Sequence, residues 1–162
     1  MGRIYTVPFA SATVTNAGGN TDLWELTPAD DKPIKLRGFS LGQTSEVGDS
    51  AEEGVNISVI HLAATVTSGN GGAVTPVAVD AGTNVAAGFS AETNGTTVAT
   101  TSGTATTVYE MCWNLRSSPC EIWFPEDRFS PVARQAAALV IRMNTTVADD
   151  ITFAGTAWVE EE

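Results

Sequence analysis

Apolar residues in this chain recur with a period of two and almost nowhere with a period of 3.6, which restricts it to folds built from strands. In residues 33–41, Ile34 and Leu36 alternate with Lys35 and Arg37. The phase then slips at Gly38, so that Phe39 and Leu41 carry the apolar face onward. A one-residue slip at a glycine is the sequence mark of a β-bulge. Val55, Ile57 and Val59 share a face in residues 55–62. In residues 151–159, Ile151, Phe153, Gly155, Ala157 and Val159 lie on one side, while Thr152, Ala154, Thr156 and Trp158 lie on the other. Further strands are predicted over 22–27, 106–113, 121–124 and 137–143. Of these, 106–113 and 121–124 are read as a pair around a turn at 116–119. Only residues 131–138 offer a turn or two of helix, with Ser130 as N-cap and Pro131 at the first helical position. With no strand–helix–strand rhythm, the chain reads as all-β, an antiparallel sandwich or barrel.

The 162 residues suit a single domain, residues 1–162, because a chain of this size can bury its apolar surface in one core. No linker or fixed-period repeat divides it. Two stretches are unlike the rest. Residues 43–54 hold Glu46, Asp49, Glu52 and Glu53 with two glycines and no apolar period. Residues 65–103 begin with a run of Ser68, Gly69, Asn70, Gly71 and Gly72 and continue as short apolar runs between Gly and Thr. This long Gly/Thr-rich region is too long for a plain connection, so it reads as functional surface, a weakly paired edge strand, or both.

Eight basic and 19 acidic side chains give a net charge of −11, which excludes free nucleic-acid binding, where phosphates demand clustered Lys and Arg. No apolar run approaches the roughly 18–20 residues of a membrane span, and residues 1–5 lack the features of a secretory signal. The start of the chain fits a myristoylation pattern, but its apolar residues continue as a strand, so lipidation is not expected. Charged residues make up only 17%, against about 25% in ordinary domains, so something other than charge covers part of this surface.

Candidate chemistry is sparse. Gly38, Ser40 and Gly42 form a literal G-x-S-x-G, but the residues that follow lead into an acidic loop rather than the helix a nucleophile elbow needs. The only histidine, His61, falls inside a strand and reads as a structural residue. Cys112 and Cys120 are the only thiols and lack companions for a zinc site, so reduced cysteines are expected. The 46–53 loop lacks the spacing of a calcium loop and reads as solvated, as do Glu160, Glu161 and Glu162. No enzymatic activity, metal or cofactor is therefore expected. Trp24, Trp113, Trp123 and Trp158 read as core or oligomer-contact residues; if aligned on an exposed face they would instead suit stacking on sugar rings.

Four segments carry a resemblance: residues 3–9 (Arg-Ile-Tyr-Thr-Val-Pro-Phe), 28–33 (Pro-Ala-Asp-Asp-Lys-Pro), 48–53 (Gly-Asp-Ser-Ala-Glu-Glu) and 67–72 (Thr-Ser-Gly-Asn-Gly-Gly). Together they resemble small virion proteins of tailed bacteriophages, and in particular the head decoration, or cement, proteins. The resemblance implies a jelly-roll-like sandwich made in the bacterial host cytoplasm, a homotrimer, and a place on the exterior of the phage head. There it would bind the major capsid protein and bridge capsid subunits without catalysis. The alternative is a glycan- or receptor-binding module of a tail fibre or baseplate. Residues 1–9 are either an N-terminal arm added to a neighbour's sheet or the first strand of the sandwich. The candidate capsid-binding residues are Arg3, Ile4, Tyr5, Val7, Phe9, Lys32, Lys35 and Arg37, with the basic first quarter facing the capsid and the acidic loop facing solvent.

Overall fold

The computed structural model describes residues 2–45, 53–82, 85–117 and 119–162. In chain order the strands are β1 (Arg3–Val14), β2 (Thr21–Thr27), β3 (Ile34–Gln43), β4 (Gly54–Leu62), β5 (Val66–Thr67), β6 (Gly72–Val74) and β7 (Val77–Ala78). They continue as β8 (Ser90–Gly95), β9 (Thr100–Thr101), β10 (Ala105–Asn114), β11 (Cys120–Trp123), β12 (Val132–Ala133), β13 (Ala138–Met143) and β14 (Ile151–Glu161). A single 3-10 turn at Asp127–Phe129 is the one helical element among the described residues.

Two antiparallel sheets pack face to face as a β-sandwich. The first runs β11-β3-β14-β1-β7, with β12 also paired to β3; the second runs β10-β4-β13-β2-β8-β6. Successive strands β1 to β4 alternate between the sheets, and so do β10, β11, β13 and β14. Alternation along each strand explains the core: Tyr5, Val7, Phe39, Leu41 and Phe153 of the first sheet meet Leu23, Trp24, Ile57 and Leu139 of the second. The Trp24 indole is fully buried, and its Nε1 donates to the Val7 carbonyl at 2.9 Å, so even the largest core side chain has its polar atom satisfied.

Several expectations change here. The 106–113 and 121–124 strands do not pair: β10 pairs with β4 and β11 with β3, so the turn between them carries the chain from one sheet to the other. Cys112 is accordingly exposed on one sheet and Cys120 buried in the other, both as free thiols. The 131–138 stretch forms no helix. Val132 and Ala133 pair with Lys35 and Ile34, and Ala136 adopts a left-handed φ of 65°, which no helix accommodates. The phase slip at Gly38 appears as a register shift against β14: Trp158 opposes Gly38 and Val159 opposes Leu36, leaving Arg37 as the extra residue.

The long Gly/Thr-rich region is the largest difference. Residues 63–104 carry five short strands. β7 caps β1 at one edge of the first sheet, β8 and β6 extend the second sheet beyond β2, and β5 pairs with β9. Short strands blunt both of these edges.

Candidate functional site

The two outward faces of the sandwich are finished differently. On the second sheet, Ile60 and Leu62 of β4 and Val140 of β13 point away from the main core, yet they are buried against Ala99 and Val66. Residues 63–104 thus fold back over this face. Polar groups fix them there. Glu25 accepts from the Ser68 hydroxyl at 2.6 Å and from the Gly69 N–H at 3.0 Å. Asp22 accepts from the Ala99 N–H at 2.7 Å and pairs with Arg142 Nε at 2.5 Å, and Arg142 also donates to the Ala99 carbonyl. Burial pushes the Asp22 carboxyl above its ordinary range even though Arg142 opposes the shift. Glu92, directly across the ladder from Glu25, has a buried oxygen with no hydrogen-bond partner among the described residues. Desolvation, reinforced by the Glu25 charge, raises its carboxyl as well.

The loop rich in glycine is explained by this packing. A Cβ on Gly69 would lie 2.3 Å from the Thr97 carbonyl oxygen, so only glycine lets the loop approach closely enough for its N–H to reach Glu25.

On the corresponding face of the first sheet Pro119 lies over Gly42 and the turn at Asp127 over Lys35 and Arg37, while the centre at Trp123 stays open. Its register sets side chains in rows across β11, β3, β14 and β1. One row reads Trp123, Gly38, Trp158, Thr6, and the next reads Glu121, Ser40, Thr156, Pro8. Trp123 and Trp158 therefore flank a glycine, and their rings close over it with centroids 4.5 Å apart and planes tilted by 41°. A Cβ on Gly38 would come within 2.7 Å of the Trp123 ring, so the pair exists because that position is empty. Trp123 remains 51% exposed. Around the pair the side chains of Ser40, Gly42, Ala154 and Thr156 are small and only partly buried, giving a flat surface.

Beyond the tryptophans the same face ends in an ionic row. Arg37 Nη1 donates to Asp127 at 2.5 Å, and Arg37 Nε lies 3.5 Å from Glu160. Lys35 pairs with Glu162 and, at 3.6 Å, with Asp127. The hydrogen bond from Arg37, with Lys35 nearby, holds the Asp127 carboxyl below its ordinary range, while the Glu162 carboxylate holds the Lys35 ammonium above its own.

The predicted contact residues scatter across this geometry. Ile4, Lys35 and Arg37 lie on the exposed face beside the tryptophan pair. Arg3 is exposed at the start of β1, and Lys32 pairs with Glu161 at 3.7 Å. Tyr5 and Val7 are fully buried in the core and out of reach of any partner, and Phe9 packs inward against Trp24 at 4.8 Å. Residues 3–9 pair continuously with β14, so they form the first strand of the sandwich rather than a detached arm.

Of the carboxylates at the end of the chain, Glu160 and Glu161 are structural rather than solvated, while Glu162 is exposed and pairs with Lys35. Glu161 is 5% exposed and accepts from the N–H groups of Gly88 and Phe89, and Glu160 accepts from the Gly2 N–H. Of the acidic stretch, Glu46, Asp49 and Glu52 lie outside the described residues; Glu53 accepts from the Ala148 N–H at 2.7 Å. Ser40 sits in mid-strand, paired between Thr156 and Glu121, while His61 belongs to the other sheet, so the G-x-S-x-G does not form a nucleophile elbow. Of the four tryptophans read from the sequence as core or oligomer contacts, or as a stacking surface if aligned on an exposed face, Trp24 and Trp113 are buried while Trp123 and Trp158 share the open face. Strand parity already placed Trp158 outward, but only the register of β11 and β14 on either side of Gly38 brings the two together. Compared with known proteins, the chain matches no family model, no curated protein and no solved structure.

Proposed function

We propose that this chain is a bacteriophage head decoration protein, a homotrimer without catalytic activity that binds the outside of the head and bridges subunits of the major capsid protein. The observation that carries this reading is the unequal finish of the sandwich. One outward face is covered over Ile60, Leu62 and Val140 by the chain's own Val66 and Ala99, while the other presents a flat strip with a half-exposed tryptophan. A rigid sandwich with one bare face suits a protein whose task is to lie on another surface. The jelly-roll-like part of the reading is supported by the strand order, β1-β14-β3-β11 in one sheet against β2-β13-β4-β10 in the other. The outer edge of β10, unpaired among the described residues, is available to a neighbouring copy. Purified protein is expected to be trimeric by light scattering, to co-sediment with head shells lacking it, and to raise their resistance to heat. A monomer that leaves such shells unchanged ends this reading.

A second reading, a glycan- or receptor-binding module of a tail fibre or baseplate, is favoured by one observation: two tryptophans share an exposed face with the Ser40 and Thr156 hydroxyls and the Glu121 carboxylate in the adjoining row. Binding on a glycan array together with no binding to head shells selects it over the first.

A further inference from the structure

Three properties of the exposed face of the first sheet bear on what it meets. Its aromatic centre is held in place: the Trp123 and Trp158 rings rest on each other over Gly38, so little side-chain freedom is left to lose when a partner covers them. Its charge is unbalanced. The ionic row and the adjoining turn bring Lys35, Arg37 and Arg128 together with Glu121, Glu126, Asp127, Glu160 and Glu162, so carboxylates outnumber cations. Two copies meeting through this face would press like charges together, on chains that each carry −11.

Its size is limited as well. Strands of 10–12 residues at about 3.3 Å each, four abreast at a spacing of about 4.8 Å, span roughly 600 Å² at most. That falls short of the roughly 800 Å² per partner usual in a stable one-to-one complex, but it suits a weak contact repeated over many copies.

We propose that this face, centred on Trp123 and Trp158, is the surface that docks on the capsid, and that the patch it meets there is a flat protein surface bearing arginine or lysine side chains. The inference rests on the decoration reading above. It moves the centre of the contact from Tyr5 and Val7, which lie in the core, to the tryptophan pair, with Lys35 and Arg37 on the same face already matched by carboxylates.

The test uses the full-length protein and purified head shells that lack it, with co-sedimentation across a salt series. Trp123→Ala is expected to weaken binding at least about 30-fold, as a central aromatic anchor does. A Glu121→Lys/Glu126→Lys double variant is expected to weaken it most at low salt. Val79→Ser, on the segment beside β7, is expected to bind as the wild type does. If Trp123→Ala fails to fold, the double charge variant decides alone. A folded Trp123→Ala that binds like the wild type overturns the proposal, and so does a charge reversal that leaves binding unchanged or strengthens it. A wild-type dimer that dissociates on Trp123→Ala assigns the face to a second copy, and a Trp-dependent signal on a glycan array with none on shells assigns it to a sugar; either outcome overturns the proposal. Wild-type protein that never binds shells defeats the decoration reading itself, a result distinct from a variant that binds too well.

Discussion

The outward face of the second sheet and that of the first begin alike, as antiparallel strands with alternate side chains turned away from the core, and they end differently. Over the second sheet, residues 63–104 bury Ile60, Leu62 and Val140, and the carboxylates of Asp22 and Glu25 take up backbone N–H groups that the covering loops would otherwise leave unmatched. Over the first, two tryptophans cover a glycine and each other, with Ile4 beside them. A buried face needs its polar atoms satisfied, and the insertion does so for Asp22 and Glu25 but leaves one oxygen of Glu92 without a partner among the described residues. The open face is left wet, flat and aromatic. The difference separates a face partly covered by the chain itself from one whose centre stays exposed.

The largest effect expected from breaking this contrast is on the covered face. Arg142→Ala leaves Asp22 buried and without its charge partner, and should lower unfolding free energy by roughly 3–5 kcal/mol in denaturant titrations. Leu62→Ala opens a cavity beneath the insertion and should cost about 2–4 kcal/mol by the same measurement.

On the open face the effects on stability are smaller. Gly38→Ala forces a Cβ against the Ile122 carbonyl and the Trp123 ring, and should cost about 1–3 kcal/mol while blue-shifting or quenching the fluorescence of the pair less than it disturbs their near-ultraviolet dichroism. Trp123→Ala removes one aromatic contact from a half-exposed position and should cost only about 1 kcal/mol, so any loss of binding exceeds the loss of stability.

The subtlest contrast is in pH. Glu92's carboxyl lies above its ordinary value of 4.5 in the folded protein, so its ionisation opposes folding. Its contribution to stability grows as the pH falls through the raised value and is complete below the ordinary one. Asp127 behaves in the opposite sense. Its carboxyl is held below the ordinary 3.8, so its contribution is present above that value and is lost as the pH falls through the lowered one. Hydrogen exchange between neutral and mildly acidic pH should therefore show residues 66–101 gaining protection before the ionic row of β3 and β14 begins to loosen. Glu92→Gln should reduce the first change, leaving the part due to the raised Asp22 carboxyl, and leave the second.

Much of the fold was legible in the residues themselves. The alternation of Ile34, Leu36, Val55, Ile57, Ile151 and Phe153 marks strands with one inward face, and the slip at Gly38 marks the bulge. These are local properties, because a pleated strand sends successive side chains to opposite sides whatever it pairs with. The pairing itself was not local. Residues 106–113 and 121–124 look like a hairpin because a turn joins them, and nothing in either strand reveals that each has a better partner elsewhere. The candidate site was legible by halves. Parity turns Trp158 outward, but its meeting with Trp123 depends on β11 and β14 both pairing with β3 at Gly38, a contact across 35 residues of sequence.

The low share of charged residues has the same divided origin. The sequence by itself determined an acidic, strand-built chain whose charged side chains are too few to coat its surface, because composition and period are carried residue by residue. Only the tertiary structure decided where those charges went. Glu160 and Glu161 are drawn inward by Arg37 and by the N–H groups of Gly2, Gly88 and Phe89, and Asp22 by Arg142, since a buried carboxylate is held only where donors from distant strands converge on it. Tertiary structure likewise decided that Ile60, Leu62 and Val140 of the second sheet are covered while Trp123 of the first stays half exposed.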